Sequence, residues 1–493
     1  GTTRLRSAAL GGEYRENFLT ALFNLRKVVR HRIEPFGSTY RSNDSDFLVS
    51  DNQDFHPTDV LEDSDGSILI VDTGGWYKVC CPTSQLAKPE VLGAIYRIKK
   101  NGSQRPLDPY GKRINFNALS HGRLVDLLAD QRTYVVESAI REIANRGKAV
   151  VPELQLLFRQ KALEPQVSAP ALRALFLNAT PTALSLVREG LSHRSEPVRI
   201  LAIQLAAHLR DPSTYLALTA TLKPERSQWS EHLRRAGMSA LGQLGSHQAI
   251  APLFQSYLSD AGDQFLEHAF ILALIEIDHP QETRDAMKKF PGTLTQRAGL
   301  IALSEMQSGD ITSEDVIPHL LSPDAILREA ATFIAARHPD WAADIAKHLS
   351  GTLASPLPPI APEVLQDLLT RIIKEQPIQD LLASMLKSPT HWAAITSLNT
   401  IASSSLKSPP STWISQIADL LKMGPGAPDV RTPLLAATKA LLPHPSSKEL
   451  LLPALQDYAE LPKLPAKTRI AAALVLPESS PLRPETFRAA FDN

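Results

Sequence analysis

At 493 residues, with 52 basic side chains set against 52 acidic ones, the chain is long enough for several domains and carries no formal net charge. That balance excludes a long-range attraction to nucleic acid or to an anionic membrane. A hydrophobic share of 43% belongs to a folded chain rather than a disordered one, and no run approaches the roughly 18 apolar residues of a membrane-spanning helix.

The chain opens on Gly1-Thr2-Thr3 with no charged segment leading into an apolar one, and reads as a fragment or a processed product. Up to residue 105 the apolar pattern has the short period of β-structure. Residues 19–25 and 27–33 predict a hairpin, with 38–41 as a third strand. Residues 55–60 turn into a strand, Asp63-Ser64-Asp65-Gly66 is a turn, and 67–71 is a strand rich in β-branched residues. Residues 93–98 close the unit. Short antiparallel strands around an Asp-Gly turn predict β-propeller blades. Two blades fit into residues 1–105, whereas closed propellers have about four to eight. Two alone would leave open sheet edges, so the segment reads as the C-terminal portion of a larger propeller.

Several residues here carry chemistry. His56 begins a strand, and two readings fit it: a base at a propeller mouth, since imidazole titrates near neutrality, or a histidine hydrogen-bonded to a turn. Asp63, Asp65 and Gly66 resemble the start of a calcium loop, but its twelfth position is Gly74 rather than Glu, which excludes an EF-hand and leaves a β-turn. After Asp72, residues 76–92 form an excursion long enough to be functional. Its Trp76 and Tyr77 either line a sugar-binding mouth or pack the loop down. Cys80 and Cys81 are the only cysteines. They form either a strained vicinal disulfide, their Cα spacing of about 3.8 Å being short for one, or two small buried thiols. With no other cysteine there is no disulfide framework, no CxxC zinc knuckle and no CxxCH haem-attachment site.

Residues 106–118 read as a linker. From residue 119 to 493 the pattern becomes helical, with apolar or small residues at i, i+3, i+4, i+7, i+8 and i+11. Val198, Leu201, Ala202, Leu205, Ala206 and Leu209 fill this template, as do Leu266, Ala269, Phe270, Ala273, Leu274 and Ile277. A third full copy starts at Leu233, and looser copies start at Arg132, Val167, Gln296, Leu327, Leu365, His391, Val430 and Thr468. Second amphipathic helices are expected between them, at 183–190, 250–258 and 413–421. Such a recurrence predicts a helical solenoid. The basic residue after the first template position (Arg199, Arg234, Arg297, Arg328, Arg431, Arg469) fits a HEAT pattern. After about residue 351, clustered prolines predict loops and irregular stacking. The array's histidines show no ligand spacing, so no metal site is expected, and His338 falls on an inner template position that predicts burial. The fold class is therefore mainly α: a HEAT-like α-solenoid preceded by a partial β-propeller of about two antiparallel blades.

The stretch from Phe55-His56-Pro57-Thr58-Asp59-Val60 through Asp72-Thr73-Gly74-Gly75-Trp76-Tyr77, with Cys81-Pro82-Thr83-Ser84-Gln85 and Gly93-Ala94-Ile95-Tyr96-Arg97, resembles the last propeller blade of a bacterial family. Its members are membrane-bound dehydrogenase-like proteins. They have a propeller like that of glucose/sorbosone dehydrogenases, then HEAT repeats, and often a c-type cytochrome. The resemblance covers about 45 residues, and residues 15–49 resemble the preceding blade more weakly. It implies an exported dehydrogenase of sugars or alcohols, periplasmic or attached to the cell envelope. His56, Asp59 and Arg97 would supply the catalytic mouth, with Trp76, Tyr77, Cys80 and Cys81 as loop candidates near substrate. The implied cofactors are pyrroloquinoline quinone with calcium, and haem c on a domain absent from this sequence. Most of the propeller and the cytochrome are missing here, so this chain is expected to be inactive alone. Two other functions fit the sequence: a non-enzymatic scaffold whose HEAT surface binds a protein partner or a neighbouring domain, and, less well, a lyase-like HEAT protein acting on a bound chromophore, which leaves the β segment unexplained.

Overall fold

The computed structural model describes residues 1–75, 90–103, 106–160, 165–178, 180–223, 230–258, 262–309, 311–358, 360–424 and 426–477. Two small antiparallel sheets stand at the N-terminal end. The first runs β1 (Thr2–Arg4), β2 (Phe18–Leu22), β3 (Lys27–Phe36) and β4 (Thr39–Val49), and the second β5 (Pro57–Glu62), β6 (Ile68–Asp72) and β7 (Ala94–Ile98). Alternation along β6 shows why the second sheet forms: Ile68 and Ile70 are fully buried while Leu69 and Val71 face outward. Leu5, Leu19, Val28, Phe55, Val60, Ile68 and Ile70 make one core shared by both sheets.

The predicted strands are present, with three differences, the first being that the strand expected over 19–25 ends at Leu22 and Phe23–Leu25 form a 3-10 turn. The third strand, expected over four residues, is the eleven-residue β4, and β1 was not anticipated. From Lys27↔Val49 out to Phe36↔Thr39, β3 and β4 pair as a long ribbon. Its outer half is largely exposed on both faces, and β4 from Arg41 to Asp46 is wholly polar, so no buried apolar alternation revealed its length.

Beyond Ile98 the described residues contain helices and no strand. The chain forms two compact units, Gly1–Ala286 and Met287–Asn493. In the first unit the helices Thr133–Arg146, Pro165–Asn178, Glu196–Leu209, Ser230–Leu244 and Gln264–Ile277 lie side by side in one layer. Shorter helices such as Pro181–Gly190 and Ile250–Tyr257 connect them as a second layer. In the helix Gln264–Ile277 the template residues Leu266, Ala269, Phe270, Ala273, Leu274 and Ile277 are all inside, whereas in Glu196–Leu209 the buried face is Val198, Ala202, Ile203, Ala206 and Ala207, with Leu201, Leu205 and Leu209 only partly covered. Close helix approach needs small residues. A Cβ added to Gly242 would sit 2.7 Å from the Ala273 Cα.

The second unit repeats the scheme. Thr293–Glu305, Ala325–Ala335, Pro362–Arg371, His391–Ala402 and Pro428–Leu441 pack in succession, backed by Ala342–Ser350, Gln376–Leu386, Ser411–Met423 and Pro445–Glu460. Trp392 and Trp413 bridge repeats, their indole N–H groups donating to the carbonyls of Ser355 and Gln379 at 2.9 Å each. Pro428, expected in a loop, instead opens a helix, where its missing N–H costs nothing.

Candidate interaction surface

The three proposed catalytic residues occupy separate places. His56 is buried, its Nδ1 lies 2.9 Å from the Gly74 carbonyl, and its ring stacks on Phe23 at 4.6 Å. Its backbone N–H donates to Asp72 Oδ1 at 2.9 Å. Asp59 is in register with Val71 and, one strand further, Ile95, whereas Arg97 is in register with Leu69. Asp59 and Arg97 share the outer sheet face but stand two strands and two residues apart, about 12 Å between Cα atoms from standard sheet spacings. Arg97 is committed to the turn: it bonds Asp63 and Ser67 and pairs with Asp65 at 3.5 Å. Burial alone would raise the Asp63 carboxyl. Hydrogen bonds from Tyr110 and Arg97 nevertheless hold it below its usual value. Asp63 to Gly66 is thus a turn fastened from outside. Trp76, Tyr77, Cys80 and Cys81 lie outside the described residues.

The β3–β4 ribbon has an architectural task that the sequence did not disclose. Its tip reaches the helices Ser230–Leu244 and Gln264–Ile277, more than 190 residues away in sequence. Asp263 caps the second of these helices, accepting from the Phe265 and Leu266 N–H groups at 3.0 and 3.1 Å. The same carboxylate accepts from the Ser38 N–H at 2.7 Å and the Ser38 hydroxyl at 2.8 Å. Arg235 donates to the Ser38 carbonyl at 3.0 Å, and Tyr40 packs on the buried His232 ring at 4.6 Å. Burial would raise the Asp263 carboxyl, yet the bonds from Ser38, Leu266 and Phe265 hold it below its ordinary value. Burial pushes His232 down, so it is neutral at pH 7. The sheets are therefore clamped onto the first helical unit at a distance from their own core.

In the second unit a groove of about 720 Å³ runs across three successive helices, Thr293–Glu305, Ala325–Ala335 and Pro362–Arg371. The middle helix buries Leu327, Ala331, Ile334 and Ala335. On its opposite side Ile326 and Phe333, seven residues apart and so on one face, remain 52% and 60% exposed. Ile301 and Val364 from the flanking helices complete the apolar floor. Two ion pairs stand at the rim, Arg337 with Glu305 at 2.6 Å and Arg371 with Asp367 at 2.9 Å, beside the charged Arg297, Arg328, Glu329 and Glu363. The Arg337 guanidinium also lies 5.6 Å over the Phe333 ring. This is an apolar strip between charged edges. The sequence template marked the inward face of this helix. Ile326 and Phe333 fall off that template, and their being apolar was the available signal.

Two expectations about histidines change. His338 is not an inner helix residue, because the helix ends at Ala335; its ring stacks on Trp341 at 4.0 Å and its side chain is one-third exposed. Nor are the histidines without ligand geometry, since His247 and His279 come together with Glu282.

No family model matches this chain, and no curated protein matches it. Similar solved structures include Kap121p, at 11% identity over 75% of this chain and 46% of that one, with a TM-score of 0.40. A structure of Kap95p binding to RanGDP matches at 12% identity over 72% of this chain and 56% of that one, with a TM-score of 0.34. Human deoxyhypusine hydroxylase in complex with glycerol matches at 14% over 70% and 97%, with a TM-score of 0.21. The chain spans about half the length of the Kap121p and Kap95p chains. Likenesses this weak say nothing about activity, and the HEAT-like solenoid rests on the helices themselves.

Proposed function

We propose that the chain is a protein-interaction scaffold, whose second unit receives an amphipathic segment of a partner protein along the groove centred on Ile326 and Phe333. The observation that carries this reading is the strip itself: two large apolar side chains left in water on a helix whose other face is fully used. Leaving them exposed forgoes about 1.5–3 kcal/mol each relative to burial. Because the floor of the groove is apolar, the occupant supplies apolar contacts at its centre. The test is binding of a partner recovered on the full chain and then purified. Ile326→Asp with Phe333→Asp should weaken it by about 30-fold or more, the effect of losing a central hot spot. Unchanged affinity in the double variant would refute the groove as the site.

The dehydrogenase reading, with its envelope location and its quinone, calcium and haem c, rests on the resemblance of residues 55–97 alone. The placement of His56, Asp59 and Arg97 favours it less, since the three face no common space. Dye reduction by the purified chain with aldoses or alcohols, quinone and calcium would revive it.

A further inference from the structure

Two histidines one repeat apart form a second feature, independent of the groove. His247 and His279 are 32 residues apart, each in the turn that leaves a long helix (Ser230–Leu244 and Gln264–Ile277) for a shorter one. Stacking of consecutive repeats brings equivalent turn positions side by side, so the two rings lie 5.3 Å apart and 32° from parallel. Glu282, three residues after His279, is in the first turn of the helix Pro280–Lys289 and projects back between them. It contacts His279 Nδ1 and stands 3.7 Å from His247 Nδ1. One nitrogen from each ring and one carboxylate oxygen all fall within 4.8 Å of one another. In the preceding repeat the same turn holds Asp211, ion-paired with Arg188, so that repeat does not continue the arrangement.

We propose that His247, His279 and Glu282 form a binding site for a divalent transition metal of the zinc class, joining two consecutive repeats. Two neutral imidazoles and a carboxylate are a zinc donor set with a fourth position left to solvent. Ligands about 2.1 Å from a tetrahedral ion stand about 3.4 Å from each other, so atoms within 4.8 Å close around one by small rotamer changes. The side chains are 56%, 43% and 40% exposed, which allows that adjustment and gives an ion access. The positive end of the helix beginning at Pro280 opposes a cation there, and the Glu282 charge offsets it. Glu282 reaches both rings, and it is the approach of two imidazole nitrogens and a carboxylate oxygen to within one ligand shell that points to a shared ion.

The test is titration of the full chain with Zn2+ alone, in a Cys80→Ser/Cys81→Ser background so that thiols do not compete. One saturable site and a raised thermal midpoint are expected, because an ion that binds only the folded state stabilises it. His279→Ala and Glu282→Gln should abolish both effects, and His338→Ala, whose ring is engaged with Trp341, should leave them intact. Zinc X-ray absorption of the chain carrying all its histidines should show two imidazoles in the coordination shell. Absence of saturable binding, binding undiminished in His247→Ala/His279→Ala, or a shell without imidazole would each overturn the proposal.

Discussion

Asp263 and His232 show how much of this molecule depends on single protonation states. Both stand under the tip of the β3–β4 ribbon, and both titrate below their ordinary values, though for different reasons. Asp263 is held down by the four hydrogen bonds it accepts against the effect of burial, and His232 is pushed down by burial. Arg235 disfavours the His232 charge, and Asp263 favours it. The unfolded chain thus binds protons more readily than the folded one at both residues, so stability rises with pH and is lost on acidification. The His232 contribution is present above its ordinary value of 6.5 and is lost as pH drops below it. The Asp263 contribution persists until pH falls below about 4, the ordinary carboxylate range. Burial pushes buried His193 and half-buried His319 in the same direction as His232. Denaturant unfolding should therefore show lower stability at pH 5.5 than at pH 7.5, with a smaller loss in His232→Gln. A pH-independent stability, or an unaltered slope in the variant, would contradict this account of the clamp.

At the scale of elements, the ribbon shows what a sequence conceals. The helices were legible because each buries one face, and Val198, Ala202 and Ala206 recur at that face's spacing. The strands β5 and β6 were legible for the same reason, at period two. The outer half of β4, from Arg41 to Asp46, is exposed on both faces, so no periodicity marks it and only its distant dock explains its length. Likewise the Leu327 template ran past the end of its helix and misplaced His338, because apolar spacing does not say where a helix stops. The catalytic candidates failed to converge for a related reason: types and order were legible, but strand register decides which residues share a face. Gly37 is where the ribbon's dock can be tested. Its φ is +58° and an added Cβ would lie 2.8 Å from Asp263 Oδ2. Gly37→Ala should cost about 1–2 kcal/mol for the left-handed backbone alone and lose hydrogen-exchange protection at the tip. A variant with unchanged stability and protection would show that the tip rests on the helices without being held there.

For the whole molecule, the two compact units share a construction of layered helix pairs, and each has a different surface to offer. The first carries the clamped sheets and the His247–His279–Glu282 cluster. The second carries the apolar groove, which makes the chain a scaffold in this account. The repetition was legible from the recurring template, but the alignment of His247 with His279 was not. The groove was not, because outward-facing apolar residues become a site only when three helices set them beside one another. A photo-cross-linking residue placed at Phe333, against a control at Leu450, which is 46% exposed on a helix of the other layer, tests the central claim most directly. The account predicts that position 333 captures one defined protein through a single segment, that Ile326→Asp abolishes the capture, and that position 450 does not yield it. Equal capture from both positions, or capture at 333 that survives Ile326→Asp, would contradict it.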